Sequence, residues 1–246
     1  MTYTPQKALH IAKEFYEAHF SDADGAFVAG SIMRGEGYEH SDIDMVIMYP
    51  DTYEESRRES HVYQGIRIEA FIQTPQVQKY FLDMDVKRGK PATAHMVAEG
   101  VVIGKNKKSV HLYQERAKQI LDNGPEKLTE SNNLARRYFI TDLLDDIRDD
   151  RPFDEILGAV AVLFTELGDY YLRAQGQWSG GGKKLIKSLK AFNANYGNHY
   201  EKVFKEAFTE NKLPLISFVE ETLEPFGGLY WVGDVRYAPK WKEDVT

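Results

Sequence analysis

The strongest constraint on the fold is a change of hydrophobic period partway along the chain. Up to residue 103 short apolar runs and alternating stretches are interspersed with helical patterns. After Asn123-Gly124-Pro125 they recur almost only at helical spacing. Ala26–Ala29, which stops at Gly30, and Ile43–Met48, which stops before Pro50-Asp51, read as strands, and Val101–Ile103 is a further short apolar run. His61–Ile72 alternates, with Ile66, Ile68, Ala70 and Ile72 on one face and Arg67, Glu69 and Phe71 on the other. Helices are expected at Thr4–Phe20, Gln76–Val86 and Ser109–Leu121. Beyond the Gly-Pro break they are expected at Leu134–Ile147, Phe153–Leu172, Lys184–Phe192 and Tyr200–Phe208. The predicted class is therefore α+β: an α/β lobe with a small mixed sheet over residues 1–124, then an all-helical lobe over 125–246.

Composition excludes several functions. With 42% hydrophobic and 13% aromatic residues, the 246-residue chain has ample material for a core. No cysteine is present, which removes disulfide scaffolds, thiolate zinc sites and cysteine nucleophiles. No apolar run approaches the ~20 residues of a membrane span. Residues 1–20 carry Lys7, Lys13, Glu14 and Glu17 among their apolar positions, unlike a secretory signal, so a cytoplasmic protein is expected. A net charge of −7 disfavours a nucleic-acid partner.

One constellation carries chemistry. Asp42 and Asp44 stand two apart at the head of a strand, so both carboxylates leave the same face. Such a pair repels and is costly to desolvate, which calls for a cation; hard oxygen ligands suit Mg²⁺, which takes its remaining oxygens from water and phosphates. Glu69 interrupts an apolar strand and is the candidate third ligand. Gly30-Ser31, at the end of the preceding strand, offers unblocked backbone N–H groups and a hydroxyl to a phosphate. Arg34, flanked by Gly35 and Gly37, adds a cation between this turn and the acid pair.

Gly30-Ser31-Ile32-Met33-Arg34-Gly35 followed by Ser41-Asp42-Ile43-Asp44, with a carboxylate on a later strand, resembles the DNA-polymerase-β-type nucleotidyltransferase superfamily. Within it, the pattern is similar to the aminoglycoside and lincosamide antibiotic nucleotidyltransferases and the minimal nucleotidyltransferases. The motif covers roughly residues 26–72. The resemblance implies that Gly30 and Ser31 hold the β- and γ-phosphates, with Ser41 and Arg34 in support. It also implies that Asp42 and Asp44 hold two Mg²⁺ ions and that Glu69 completes the metal site or acts as base. The implied reaction moves a nucleoside monophosphate, AMP from ATP being the leading case, onto an acceptor hydroxyl with loss of pyrophosphate. The acceptor would be a small molecule, with an aminoglycoside-type antibiotic as one possibility. Modification of a protein by AMP, or nucleotide binding without catalysis, are the rival readings.

Other features are weaker. Gly180-Gly181-Gly182-Lys183-Lys184 fails the phosphate-loop pattern, since Gln177 stands where Gly is required and Lys184 where Ser or Thr is. It is a turn opening a basic helix, or else a source of one lysine for the triphosphate, with Lys183 and Lys184 equally placed. Asp142, Asp145, Asp146 and Asp149 form an acidic helical stripe, either a solvated face or a wall for a cationic acceptor. Glu166 is an alternative base, and Tyr170, Tyr171 and Trp178 are read as packing.

Overall fold

The computed structural model describes residues 3–235 and 237. The chain forms two compact units, Met1–Glu126 and Lys127–Thr246.

The first unit opens with α1 (Pro5–His19), which starts where the sequence supplies a cap: Thr4 Oγ1 accepts from Lys7 N at 3.3 Å and Pro5 occupies the first turn. Its buried stripe is Ala8, Ile11, Ala12, Phe15 and Tyr16. Five strands follow: β1 (Gly25–Ala29), β2 (Ile43–Met48), β3 (Arg57–Tyr63), β4 (Ile66–Gln73) and β5 (Val101–Ile103), ordered β3-β4-β2-β1-β5. Only β2 and β4 run parallel; the other three pairings are antiparallel. The sheet is mixed, and the chain is of the α+β class.

Both faces of the sheet are covered. Val28, Met45, Ile47, Ile66, Ile68 and Ile72 pack on the α1 side with Ile11 and Phe15. Phe27, Val46 and Met48 face the opposite way. They pack with Leu82 of α2 (Pro75–Arg88), Ala94 and Val97 of α3 (Ala92–Glu99), and Val110 and Ala117 of α4 (Lys107–Asn123). Burial on both faces explains why β1 and β2 read as continuous apolar runs rather than as alternation.

The stretch His61–Ile72, expected to be one alternating segment, is instead part of a hairpin. The chain reverses at Gln64 (φ 50°) and Gly65 (φ 78°), which join Tyr63 to its partner Ile66. Two consecutive left-handed residues match the twist of a two-residue hairpin, but only the second is a glycine here, so the usual Asn-Gly signal is missing. The helix α3 was not expected either. It lacks a side-chain cap of its own; Asp85, 8% exposed near the end of α2, accepts from Ala94 N at 2.8 Å and serves that helix from outside.

The second unit is helical. It comprises α5 (Glu130–Arg148), α6 (Phe153–Ala174), a 3₁₀ turn (Gly182–Lys184), α7 (Leu185–Phe192), α8 (Ala194–Ala207) and α9 (Leu213–Leu223). Ile140, Leu144, Val160, Leu163, Leu189, Tyr200, Phe204, Leu215 and Val219 share one core. The segment expected as Tyr200–Phe208 is the second half of α8, and α9 was not anticipated. Among the described residues, no helix is long and apolar enough to cross a membrane.

Burial pushes the Asp85 carboxyl up from an ordinary value of 3.8 to about 6, against the pull of the backbone N–H groups of Ala94 and Thr93 and of Arg88. Because the folded value lies above the unfolded one, this group's stabilising share is complete below about pH 4 and is lost as pH rises through about 6. In paired thermal melts, the stability difference between wild type and Asp85→Asn should therefore move in the variant's favour between those limits. A difference independent of pH would contradict the assignment.

Candidate active site

Strand pairing assembles the acidic residues. The parallel register of β2 on β4 sets Asp44 opposite Glu69, and antiparallel β1 sets Ala29 opposite Asp44. Asp42 lies one residue before β2 and two before Asp44, hence on the same face. One oxygen from each of Asp42, Asp44 and Glu69 lies within 4.8 Å of the other two, and all three residues are half-buried. They are the one group of acidic or histidine side chains among the described residues that could share a metal ion. Two like charges ~5 Å apart repel by roughly 3 kcal/mol at an effective dielectric near 20, so the cluster favours bound cations. Three hard oxygen donors with room for water and phosphate oxygens fit Mg²⁺.

Gly30 makes this geometry possible. It follows β1 directly with φ +99°, and a Cβ there would stand 2.7 Å from Asp44 Oδ2. Only glycine both adopts this backbone conformation without strain and leaves the space the carboxylate occupies. The chain then turns tightly over residues 31–35, where Gly35 N donates to Ile32 O at 3.0 Å and Glu36 N to Ser31 O at 2.9 Å. Ile32, 1% exposed, anchors the turn in the core on the α1 side. Ser31 Oγ donates to Ser41 Oγ at 3.2 Å, and Ser41 Oγ accepts from Tyr38 N at 2.9 Å. The two serines flanking the connection are thus tied to each other, bringing the Gly30-Ser31 corner and the Ser41-Asp42 segment together.

The other residues singled out in the sequence have settings of their own. Arg34 is held by Glu36 at 3.1 Å and by Glu99 of α3 at 3.6 Å, the arrangement of a clamp between the turn and that helix. Lys183 and Lys184 are exposed on the 3₁₀ turn of the helical unit. Glu166 lies 3.8 Å from Arg136, which also holds Asp169 at 2.7 Å. The acidic stripe is largely paired: Arg148 bridges Asp145 and Glu220, while Arg151 reaches Asp146 at 2.9 Å and Asp149 at 3.3 Å. These pairings describe a solvated charged face. Tyr170 is buried and donates to Asn133 Oδ1, and Tyr171 stacks on Tyr196 at 3.5 Å, both in packing roles.

Arg58 was missed by sequence reasoning. From the edge strand β3 it pairs with Glu69, and its guanidinium lies over the Phe71 ring at 5.6 Å. Ser60 stands directly opposite Glu69, and Val62 opposite Arg67. Asp42 and Glu69, Ser60, His61 and Val62 of β3, and Arg67 and Ile68 of β4 border a depression of about 280 Å³ on the hairpin side of the acidic cluster. Once the reversal at Gln64-Gly65 is recognised, counting outward from it pairs Ser60 with Glu69; without that turn, β3 has no register.

No protein-family model and no curated protein matches the chain. Among solved structures it is similar to a nucleotidyltransferase-like protein from Exiguobacterium sibiricum 255-15. That alignment covers 90% of this chain and 74% of the other at 14% identity, with a TM-score of 0.43. The likeness is one of fold, and no residue's role here rests on it.

Gly30→Ala should displace the Asp44 carboxylate and lower the melting temperature, since a left-handed alanine alone costs ~1–2 kcal/mol. Titration with Mn²⁺ as a paramagnetic probe should show binding at least about tenfold weaker than in wild type. Undiminished Mn²⁺ affinity would mean that the close approach of Gly30 to Asp44 does not shape the site.

Proposed function

We propose that the chain is a divalent-metal-dependent nucleotidyltransferase, which moves a nucleoside monophosphate from a nucleoside triphosphate to a hydroxyl group of a small-molecule acceptor. The observation that carries this reading is the convergence of Asp42, Asp44 and Glu69 within 4.8 Å beside the Gly30-Ser31 corner. An acidic cluster alone is common. An acidic cluster whose neighbouring backbone is a left-handed glycine cleared for a carboxylate, next to two linked serines, is a site for both cations and phosphate.

In this reading Asp42, Asp44 and Glu69 hold Mg²⁺, which supplies charge neutralisation at the reacting phosphate. The backbone at Gly30-Ser31 and the hydroxyls of Ser31 and Ser41 take the β- and γ-phosphates. The acceptor hydroxyl oxygen forms a bond to the α-phosphorus as the bond from that phosphorus to the α–β bridging oxygen breaks. Pyrophosphate leaves with the electron pair, and the hydroxyl proton passes to Glu69. The protein's contribution is positioning and preorganised charge, because the displacement needs no covalent help. Arg148 and Arg151 pair with Asp145, Asp146 and Asp149, which weakens the acidic stripe as a wall for a polycationic acceptor such as an aminoglycoside. The proposal sets the enzyme in the cytoplasm, with ATP as the first donor to test.

Calorimetric titration of the four ribonucleoside triphosphates should show binding that requires Mg²⁺ and weakens at least about a hundredfold in Asp42→Asn/Asp44→Asn. Pyrophosphate release should fall by three or more orders of magnitude in Asp44→Asn with an unchanged melting temperature. Binding indifferent to both metal and carboxylates, or turnover retained in Asp44→Asn, would overturn the proposal. Mass spectrometry of the reaction separates a modified small molecule from a modified protein.

A further inference from the structure

The sheet separates two sides of the acidic cluster. The Gly30-Ser31 corner follows β1 and meets Ser41 ahead of β2, whereas the depression bordered by Ser60, Val62 and Arg67 belongs to the β3-β4 hairpin. In the strand order β3-β4-β2-β1-β5, the carboxylates on β4 and at the head of β2 stand between them. In-line displacement places the entering oxygen and the departing pyrophosphate on opposite sides of phosphorus. With the triphosphate tail on the β1 side, the entering hydroxyl belongs on the hairpin side.

The lining of the hairpin side defines what can enter. Arg67, exposed on β4, borders the depression two residues before Glu69 and on the same face. Arg58, 62% exposed, pairs with Glu69 from the other direction. Two guanidinium groups therefore flank Glu69. Ser60 adds a hydroxyl opposite Glu69, and Val62, 74% exposed, adds an apolar edge. His61 also lines the depression; its ring packs on Phe15 of α1 at 5.0 Å, and its Nε2 pairs with Glu59 at 2.8 Å.

We infer that the acceptor subsite is the depression on the β3-β4 hairpin, and that it selects a hydroxyl compound carrying an anionic group, which Arg67 holds while Arg58 keeps Glu69 in place. This rests on the nucleotidyl-transfer reading and adds the class of the acceptor. A guanidinium presents planar paired donors suited to carboxylate or phosphate, and a cationic acceptor would meet like charge on both sides of Glu69. The anion is a carboxylate or a phosphate, the chemistry being shared.

The test is amide chemical-shift titration of the full chain in Mg²⁺ and α,β-methylene-ATP, using four small probes: glycerol 3-phosphate, glycerate, glycerol and 2-aminoethanol. The nucleotide analogue should first shift the Gly30, Ser31 and Ser41 amides. Glycerol 3-phosphate or glycerate should then shift those of Ser60, Val62 and Arg67 at millimolar concentration, with glycerol and 2-aminoethanol at least about tenfold weaker. The stronger anion identifies the acidic group. Arg67→Glu should abolish the preference for anions, and Arg67→Gln should reduce it, with the analogue's affinity unchanged. If the analogue binds but the hairpin shows no preference for anions, or prefers 2-aminoethanol, the acceptor inference is overturned and nucleotidyl transfer stands. If the analogue shifts none of the three amides, nucleotidyl transfer fails and the acceptor inference falls with it.

Discussion

The parallel pairing of β2 with β4 is the constraint on which the candidate site depends. It is the one parallel contact in the sheet, and it sets Asp44 level with Glu69. A slip of one residue would turn the strand's side chains to the other face, and a slip of two would move the carboxylates ~6–7 Å apart along the strands. The register is held by burial on both sides. Ile43, Met45 and Ile47 are locked into the core facing α1, and Val46 and Met48 into the core under α2, α3 and α4. A slip of one would turn each set toward the other core and the carboxylates toward α1. The hydrophobic pattern that stabilises the sheet is thus the same pattern that positions the acids.

Around that pairing, charge is distributed unevenly. The helical unit satisfies much of its charge internally, with Arg136, Arg148 and Arg151 each holding two or more carboxylates. Such exposed pairs contribute little stability individually. In the α/β unit, three carboxylates crowd together at the end of two strands, and Arg58, which pairs with Glu69, comes from the sheet edge and is mostly exposed. Carboxylates packed this close are physically tolerable when mobile cations share the site. Arg34, which the resemblance places in support of the triphosphate, ties the turn to α3 through Glu99.

Asp42, Asp44, Glu69, Gly30 and Ser31 were legible in the sequence because each interrupts a local expectation: charge inside apolar strands, or a glycine ending one. Both apolar-run strands and most helices were legible for the same local reason, and β5 was seen only as a short apolar run. Helix α3 was not, because its first turn is served by Asp85 from another helix, a partner that only packing provides. Strand β3 was not, because Arg57–Tyr63 is an exposed edge with a charged pattern, and its turn lacks the expected glycine at the first left-handed position.

The sequence by itself determined the α+β class, the shift to helices after residue 124 and the identity of the acidic residues, since periodicity and charge placement are local properties of the chain. Only the tertiary structure decided that β4 joins β2 in parallel, that Gly30 stands against Asp44, and that Arg58 reaches Glu69. Those contacts join residues from 11 to 25 positions apart, through pairing and burial that no local pattern encodes. The two arginines flanking Glu69 acquire a common purpose only when the hairpin closes, because distance in space, not in sequence, sets how charges act on one another.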